Sequence, residues 1–104
     1  MSPLEEQRLK AQEIIGKDNF FLVYVSCDLE TLRKRDTKGL YAKHDRGEIK
    51  NMVGIDLPYE VPNSPNIVVN TNIFSLYDCA MSITTSYNKW ILSKYSTYGN
   101  FSEI

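Results

Sequence analysis

Seven of the chain's twelve lysines and arginines fall between Arg33 and Lys50: Arg33, Lys34, Arg35, Lys38, Lys43, Arg46 and Lys50. The 104-residue chain carries a formal net charge of −1, so this concentration of positive charge is local. Arginine offers a planar fork of donors and lysine a flexible point charge, and both serve phosphate oxygens. Gly39, Gly47 and Gly54 interrupt the longer stretch from Arg33 to Pro62. Cations carried on a glycine-punctuated stretch suit a mobile flap that closes over phosphates. Composition alone leaves a solvated basic helix open as the alternative. For Lys43, His44, Arg46 and Lys50 the solvated face is the preferred reading.

The order of residues goes beyond charge. Arg35-Asp36-x-Lys38-Gly39-Leu40-Tyr41 is followed by Gly47-x-Ile49-Lys50 and then by Gly54-Ile55-Asp56-x-Pro58-Tyr59-Glu60-x-Pro62. This ordered, ungapped series resembles the lid of adenylylsulfate kinases, spanning about residues 33–62. Those enzymes use ATP to phosphorylate the 3′-hydroxyl of adenylylsulfate in sulfate assimilation, giving the activated sulfate donor. The resemblance implies that Arg35 stacks on the ATP adenine, and that Lys38, Asn51 and Met52 contact adenylylsulfate. Met52 stands where the family carries a phenylalanine that stacks on the adenine; a methionine packs on a ring through its polarizable sulfur. Val53 replaces the usual threonine. Ser2-Pro3 matches a family Ser-Pro segment whose serine lies against adenylylsulfate, whereas Leu4 and Glu5 replace an aromatic residue and an arginine; Arg8 matches a second family arginine. Thr71, Phe74 and Cys79 align with positions that cradle the ATP base, although Phe74 and Cys79 viewed alone read as core residues. The cofactors implied are ATP and Mg²⁺. No catalytic residue and no metal ligand is carried over.

Composition bounds the rest. The length allows one domain with a thin core, and a hydrophobic content of 42% is ordinary for a globular chain. Cys27 and Cys79 match no metal spacing and read as reduced thiols of a cytoplasmic protein. His44 is the single histidine and cannot build a metal site alone. No apolar run approaches the ~20 residues that span a bilayer, and the polar, acidic N-terminus does not resemble a signal peptide. A nucleic-acid contact through the same cations with Tyr41 and Tyr59 is disfavoured by the near-neutral charge and the lack of an RNA-binding motif.

The elements that must position these residues follow from pattern. Ser2, Pro3 and Glu5 read as the capped start of a helix, with Leu4, Ala11, Ile14 and Ile15 on one face and Gly16 as its stop. Phe20–Val25 (FFLVYV) is continuously apolar and predicts a strand buried on both faces. Asp28 is placed to cap a short helix carrying Leu29 and Leu32. A further short helix is expected from Lys38 to Arg46, ending at Gly47. Pro58, Pro62 and Pro65 mark an extended loop. Asn66–Asn70 predicts a second buried strand, parallel to the first because the crossover between them is long. Thr71-Asn72 is a turn. Leu76, Ala80, Ile83, Tyr87, Trp90 and Ile91 predict a closing helix from Ser75 to about Lys94.

A phosphotransferase of this type needs the loop G-x-x-x-x-G-K-[ST]. Gly16-Lys17 is the chain's one Gly-Lys pair; Asp18 follows it, and Ala11 occupies the first glycine position. The sequence therefore reads as α/β: a partial P-loop-kinase-like arrangement of parallel sheet and helices lacking the P-loop strand and helix. The expected organisation is residues 1–94 as the C-terminal half of an adenylylsulfate-kinase-like domain and 95–104 as a tail. Two parallel strands cannot cover all the apolar faces, which implies a fragment, a split or degenerate gene product, or half of an assembly. The expected partners are adenylylsulfate and a P-loop-bearing half or full-length kinase, with no nucleic acid and no membrane. A non-catalytic nucleotide-binding or kinase-docking module is the competing reading.

Overall fold

The computed structural model describes residues 2–36 and 38–98. The elements run α1 (Glu5–Ile15), a 3-10 turn (Lys17–Asn19), β1 (Val23–Ser26), α2 (Leu29–Lys34), α3 (Leu40–Asp45), β2 (Ile67–Asn70) and α4 (Leu76–Tyr98). They divide into two compact units: residues 1–20 with 27–64, and residues 21–26 with 65–104. The fold is α/β with a small parallel sheet, as the sequence pattern predicts.

In the second unit β1 and β2 pair in parallel, with Val23 opposite Ile67 and Ser26 opposite Asn70. The strand expected over Phe20–Val25 is shorter and shifted: the residues in register with β2 are Val23–Ser26. Its expected burial on both faces is not found: Val25 is 57% and Val68 54% exposed, while Val69 on the same two-stranded sheet is buried. A continuous apolar run signals burial only when other elements cover both faces, and here α4 packs on β2. Phe21 meets Tyr87 edge-on at 5.5 Å and Trp90 at 5.3 Å, an aromatic contact to α4. Ser75 Oγ accepts the Asp78 N–H at 3.1 Å and so starts α4. The β-branched Ile83-Thr84-Thr85 run does not break the helix; Thr84 Oγ1 donates back to the Ala80 carbonyl at 2.9 Å. The helix runs to Tyr98, past the expected end near Lys94, and Lys94 lies over the Trp90 ring at 4.7 Å. Residues 99–104 of the expected tail lie outside the described residues.

In the first unit α1 begins at Glu5 and not at Ser2. The Gln7 side chain accepts the Leu4 N–H at 3.3 Å, and no Ser2 cap forms. The Ser2 carbonyl is instead engaged by Arg8 Nε at 2.9 Å, which holds the serine outside the helix. Gly16 ends α1 as expected, with φ of 96° and its N–H on the Gln12 carbonyl at 2.8 Å. Arg8 is 4% exposed. Its guanidinium pairs with Glu5 at 3.0 Å, donates to the Glu60 carbonyl, and lies 5.3 Å from the Tyr59 ring centroid. Glu60 N–H donates to the Pro3 carbonyl at 2.7 Å, so the end of the lid is tied to the residues just before α1. The apolar positions of α1 are not buried together: Ile14 is 76% and Ile15 52% exposed.

Candidate functional site

The lid is built from local backbone demands. Asp28 accepts the Thr31 N–H at 2.7 Å and starts α2, as its position predicts. Gly39 takes φ of 66° immediately before α3, a left-handed conformation that glycine adopts without penalty. The Asp36 carboxylate then accepts the N–H groups of Leu40 at 2.8 Å, Tyr41 at 3.0 Å and Ala42 at 3.3 Å. These are first-turn donors that have no partner within the helix. Arg-Asp-x-Lys-Gly-Leu-Tyr thus encodes a helix start, with the aspartate closing it from three residues before the glycine. The motif by itself does not reveal this role of Asp36. α3 ends at Arg46, and Gly47 follows with φ of 78°.

After α3 the chain forms a tight turn. Asn51 has φ of 59°, and asparagine tolerates this region better than most residues. The Met52 carbonyl accepts N–H groups from Ile55, Asp56 and Leu57, and Gly54 N–H returns to the Leu57 carbonyl at 2.8 Å. Asp56 Oδ2 accepts the Met52 N–H at 2.9 Å. His44 Nε2 reaches both Asp56 oxygens, at 2.9 and 2.8 Å. The His44 side chain is 17% exposed, so the expected solvated position is corrected: it faces a carboxylate inside the lid. The Asp56 hydrogen bond raises the histidine's pKa above its ordinary 6.5, with Asp45 adding to the effect. The Met52 N–H, and then His44, lower that of Asp56. The Arg33 guanidinium, and then His44, lower that of Asp45.

The cations sort themselves by partner. Arg33 pairs with Asp45 at 2.8 Å and lies 5.4 Å from the Tyr41 ring centroid, joining α2 to α3. Lys34 reaches Glu30 at 3.5 Å, and Arg46 reaches Glu48 at 3.0 Å, both in exposed pairs. Lys38, Lys43 and Lys50 are exposed and make no ion pair among the described residues.

The residues singled out from sequence fall into two sets. Ser2, Arg35, Lys38, Asn51 and Met52 lie in the first unit. Ser2 is exposed, Arg35 closes α2 with its N–H on the Thr31 carbonyl at 3.0 Å, Lys38 precedes the left-handed glycine, and Asn51 and Met52 open the clasped turn. Thr71, Phe74 and Cys79 lie in the second unit, around the turn that leaves β2. Thr71 N–H and Oγ1 both donate to the Ser26 carbonyl, at 2.9 and 3.1 Å. Phe74 N–H donates to the Asn70 carbonyl at 3.1 Å, but the residue is 56% exposed, which corrects its reading as a core residue. Cys79 is 5% exposed beneath the same turn, which fits its core reading. This set sits at the carboxyl ends of two parallel strands, where open α/β sheets take their ligands. Both cysteines are free thiols. Among the described residues no His, Cys, Asp and Glu side chains cluster in a way that could hold a metal ion. No helix there is long and apolar enough to cross a membrane.

Comparison with known proteins places the lid in context. The adenylylsulphate kinase family model matches residues 1–70. An adenylyl-sulfate kinase of Clostridium kluyveri is 47% identical over 83 residues, covering 80% of this chain and 41% of that protein. One from Bacteroides thetaiotaomicron is 50% identical over 76 residues, covering 73% of this chain and 38% of that protein. The chain therefore spans about two fifths of the length of these curated relatives. The structure of the Mycobacterium tuberculosis APS kinase CysC in complex with AMPPNP and APS superposes with a TM-score of 0.77 and 34% identity. That match covers 84% of this chain and 51% of the other. The matched region contains the Arg-Asp start of α3 and the clasped turn after it, so sequence order, local geometry and kinship agree: the chain belongs to the adenylylsulfate kinase family.

Proposed function

We propose that the chain supplies the lid and part of the nucleotide edge of an adenylylsulfate kinase. The reaction is transfer of the γ-phosphoryl group of ATP to the 3′-hydroxyl of adenylylsulfate, releasing ADP and giving 3′-phosphoadenylylsulfate. The observation that carries this reading is the construction of the lid. Its backbone is capped by Asp36 and clasped at Asp56, while Lys38, Lys43 and Lys50 stay exposed and unpaired among the described residues. Phosphoryl transfer asks a protein chiefly for positioning and for positive charge near the transferring group. In this reading Lys38 holds adenylylsulfate, Asn51 and Met52 line its adenine edge with Ser2, and Arg35 stacks on the ATP adenine. Thr71, Phe74 and Cys79 form the wall beside the ATP base.

The chain does not supply everything that the reaction needs. Its sequence has no G-x-x-x-x-G-K-[ST] loop to wrap the phosphates, and the described acidic residues form no Mg²⁺ site. Mg²⁺ would neutralise phosphate charge when bound, but the described residues of this chain do not fit it. Activity is expected only when a P-loop-bearing half is provided. The test is to mix the chain with such a half and measure 3′-phosphorylation of adenylylsulfate; no product above either half alone would count against the proposal.

A second reading is a non-catalytic module that binds adenine nucleotides or docks on a complete kinase. The missing phosphate loop and Met52 at the aromatic position favour it. A ligand that binds the native state must raise its melting temperature. No shift with either ATP or adenylylsulfate at millimolar concentration would remove the ligand from this reading.

A further inference from the structure

His44 belongs to none of the residues that the family resemblance assigns to a ligand, yet it joins α3 to the Asn51–Leu57 turn across twelve positions of sequence. We propose that His44 is a positioning residue for the substrate edge of the lid: its ring fixes the Asp56 carboxylate, and that carboxylate fixes the backbone at Met52. The assignment of Asn51 and Met52 to adenylylsulfate rests on the proposed function; the positioning role itself rests on geometry alone.

The chain of contacts is short. Nε2 lies 2.8 Å from Asp56 Oδ2, and the same oxygen accepts the Met52 N–H at 2.9 Å. Asp56 N–H returns to the Met52 carbonyl at 2.8 Å. A carboxylate oriented from one side by an imidazole and from the other by a backbone amide has little freedom to rotate. Without the ring, Asp56 retains the amide but must find water for its other lone pairs. Asn51, held at φ of 59°, stands immediately before this anchor, so loosening the anchor frees the one left-handed non-glycine backbone among the described residues.

The groups facing the imidazole explain why it can report on pH. Asp56 approaches Nε2 from the turn, and Asp45, on α3 itself, lies 3.5 Å from Nδ1. Arg33 of α2 faces Asp45 at 2.8 Å and shares that carboxylate. A protonated ring donates to both aspartates, whereas a neutral ring can donate to only one. The clasp is therefore tightest with the ring charged and loosens as the proton leaves.

The experiment uses the full chain without ligand. The His44 ring is titrated by NMR, and the protection of the Met52 amide against hydrogen exchange is followed across about pH 5 to 8, which brackets the ordinary histidine range. In the wild type the ring should titrate above 6.5, and Met52 protection should fall with the same midpoint. His44→Ala should lower that protection about fivefold, the factor of a typical net hydrogen bond. His44→Gln, whose neutral amide can donate to Asp56 but does not titrate, should recover protection only to the level of the wild type with a neutral ring, and remove its pH dependence. Asp56→Asn should return the ring's midpoint towards 6.5, which gives a second route if the alanine variant does not fold. Unchanged Met52 protection in His44→Ala, or a wild-type midpoint at or below 6.5, overturns the inference. If Met52 follows His44 but the chain with its P-loop half neither binds nor phosphorylates adenylylsulfate, this inference stands and the proposed function falls.

Discussion

Single residues in the lid divide into those that hold it and those that the proposed function assigns to a ligand. Asp36 is of the first kind, since its carboxylate serves three consecutive N–H groups at the start of α3. Replacing an aspartate cap by alanine costs about 1 kcal/mol. Asp36→Ala should accordingly lower stability by about that amount and leave the Leu40–Ala42 amides exchanging faster than the rest of the first unit. Equal loss of protection throughout the unit would argue that Asp36 holds more than α3. In the proposed function Met52 is of the second kind. Its backbone is anchored at both N–H and carbonyl, while its half-buried side chain is not the aromatic one usual in the family. Aromatic stacking adds about 0.5–1.5 kcal/mol beyond burial, so Met52→Phe should tighten adenylylsulfate binding by about three- to tenfold. The expected gain is in affinity with the clasp unchanged, which calorimetry on the assembled protein and the Met52 amide would separate. A weakened affinity would place Met52 away from the adenine.

The lid as an element responds to pH through three groups. The folded state raises the pKa of His44, so its contribution is complete below 6.5 and is lost as pH rises through the raised value. It lowers those of Asp45 and Asp56, so theirs is complete above 3.8 and is lost as pH falls through the depressed values. Amide protection over residues 40–57 should therefore be greatest between 3.8 and 6.5 and decline on both sides; a monotonic rise towards alkaline pH would contradict the clasp. These couplings also show which parts of the fold were readable in advance. Gly16, Asp28 and Gly47 were legible as stops and caps because they act within a turn of where they sit, and parallel pairing followed from the length of the crossover. The family was legible because the order of residues from Arg35 to Pro62 is distinctive. His44 was misplaced because its partner lies twelve residues away, beyond the reach of helical spacing. The Ser2 cap failed because Arg8 takes the Ser2 carbonyl, a tertiary contact that no local pattern encodes. The two-sided burial of β1 failed because burial depends on elements that cover the sheet, not on the strand's own composition.

At the scale of the whole molecule, apolar side chains of both units are widely exposed. Among the described residues, Val69 and Cys79 are the only buried hydrophobic side chains. Ile14 in the first unit is 76% exposed, and Val68 in the second is 54% exposed. If the proposed function holds, the P-loop half that completes the site also covers such faces, as expected for a chain spanning about two fifths of its curated relatives. Exposed positions tolerate substitution within about 0.5 kcal/mol, whereas fully burying an aliphatic side chain contributes about 1.5–3 kcal/mol. Ile14→Ser and Val68→Thr should therefore each leave the thermal unfolding of this chain by itself nearly unchanged. Combined, they should weaken its assembly with a P-loop half by tenfold or more, about what one such burial contributes, read as the concentration needed to recover adenylylsulfate phosphorylation. A large loss of stability in the chain by itself would mean that these side chains already pack against something within it. Undiminished recovery of activity would mean that the completing half seats elsewhere, and the exposed faces would then belong to the docking reading and not to the kinase.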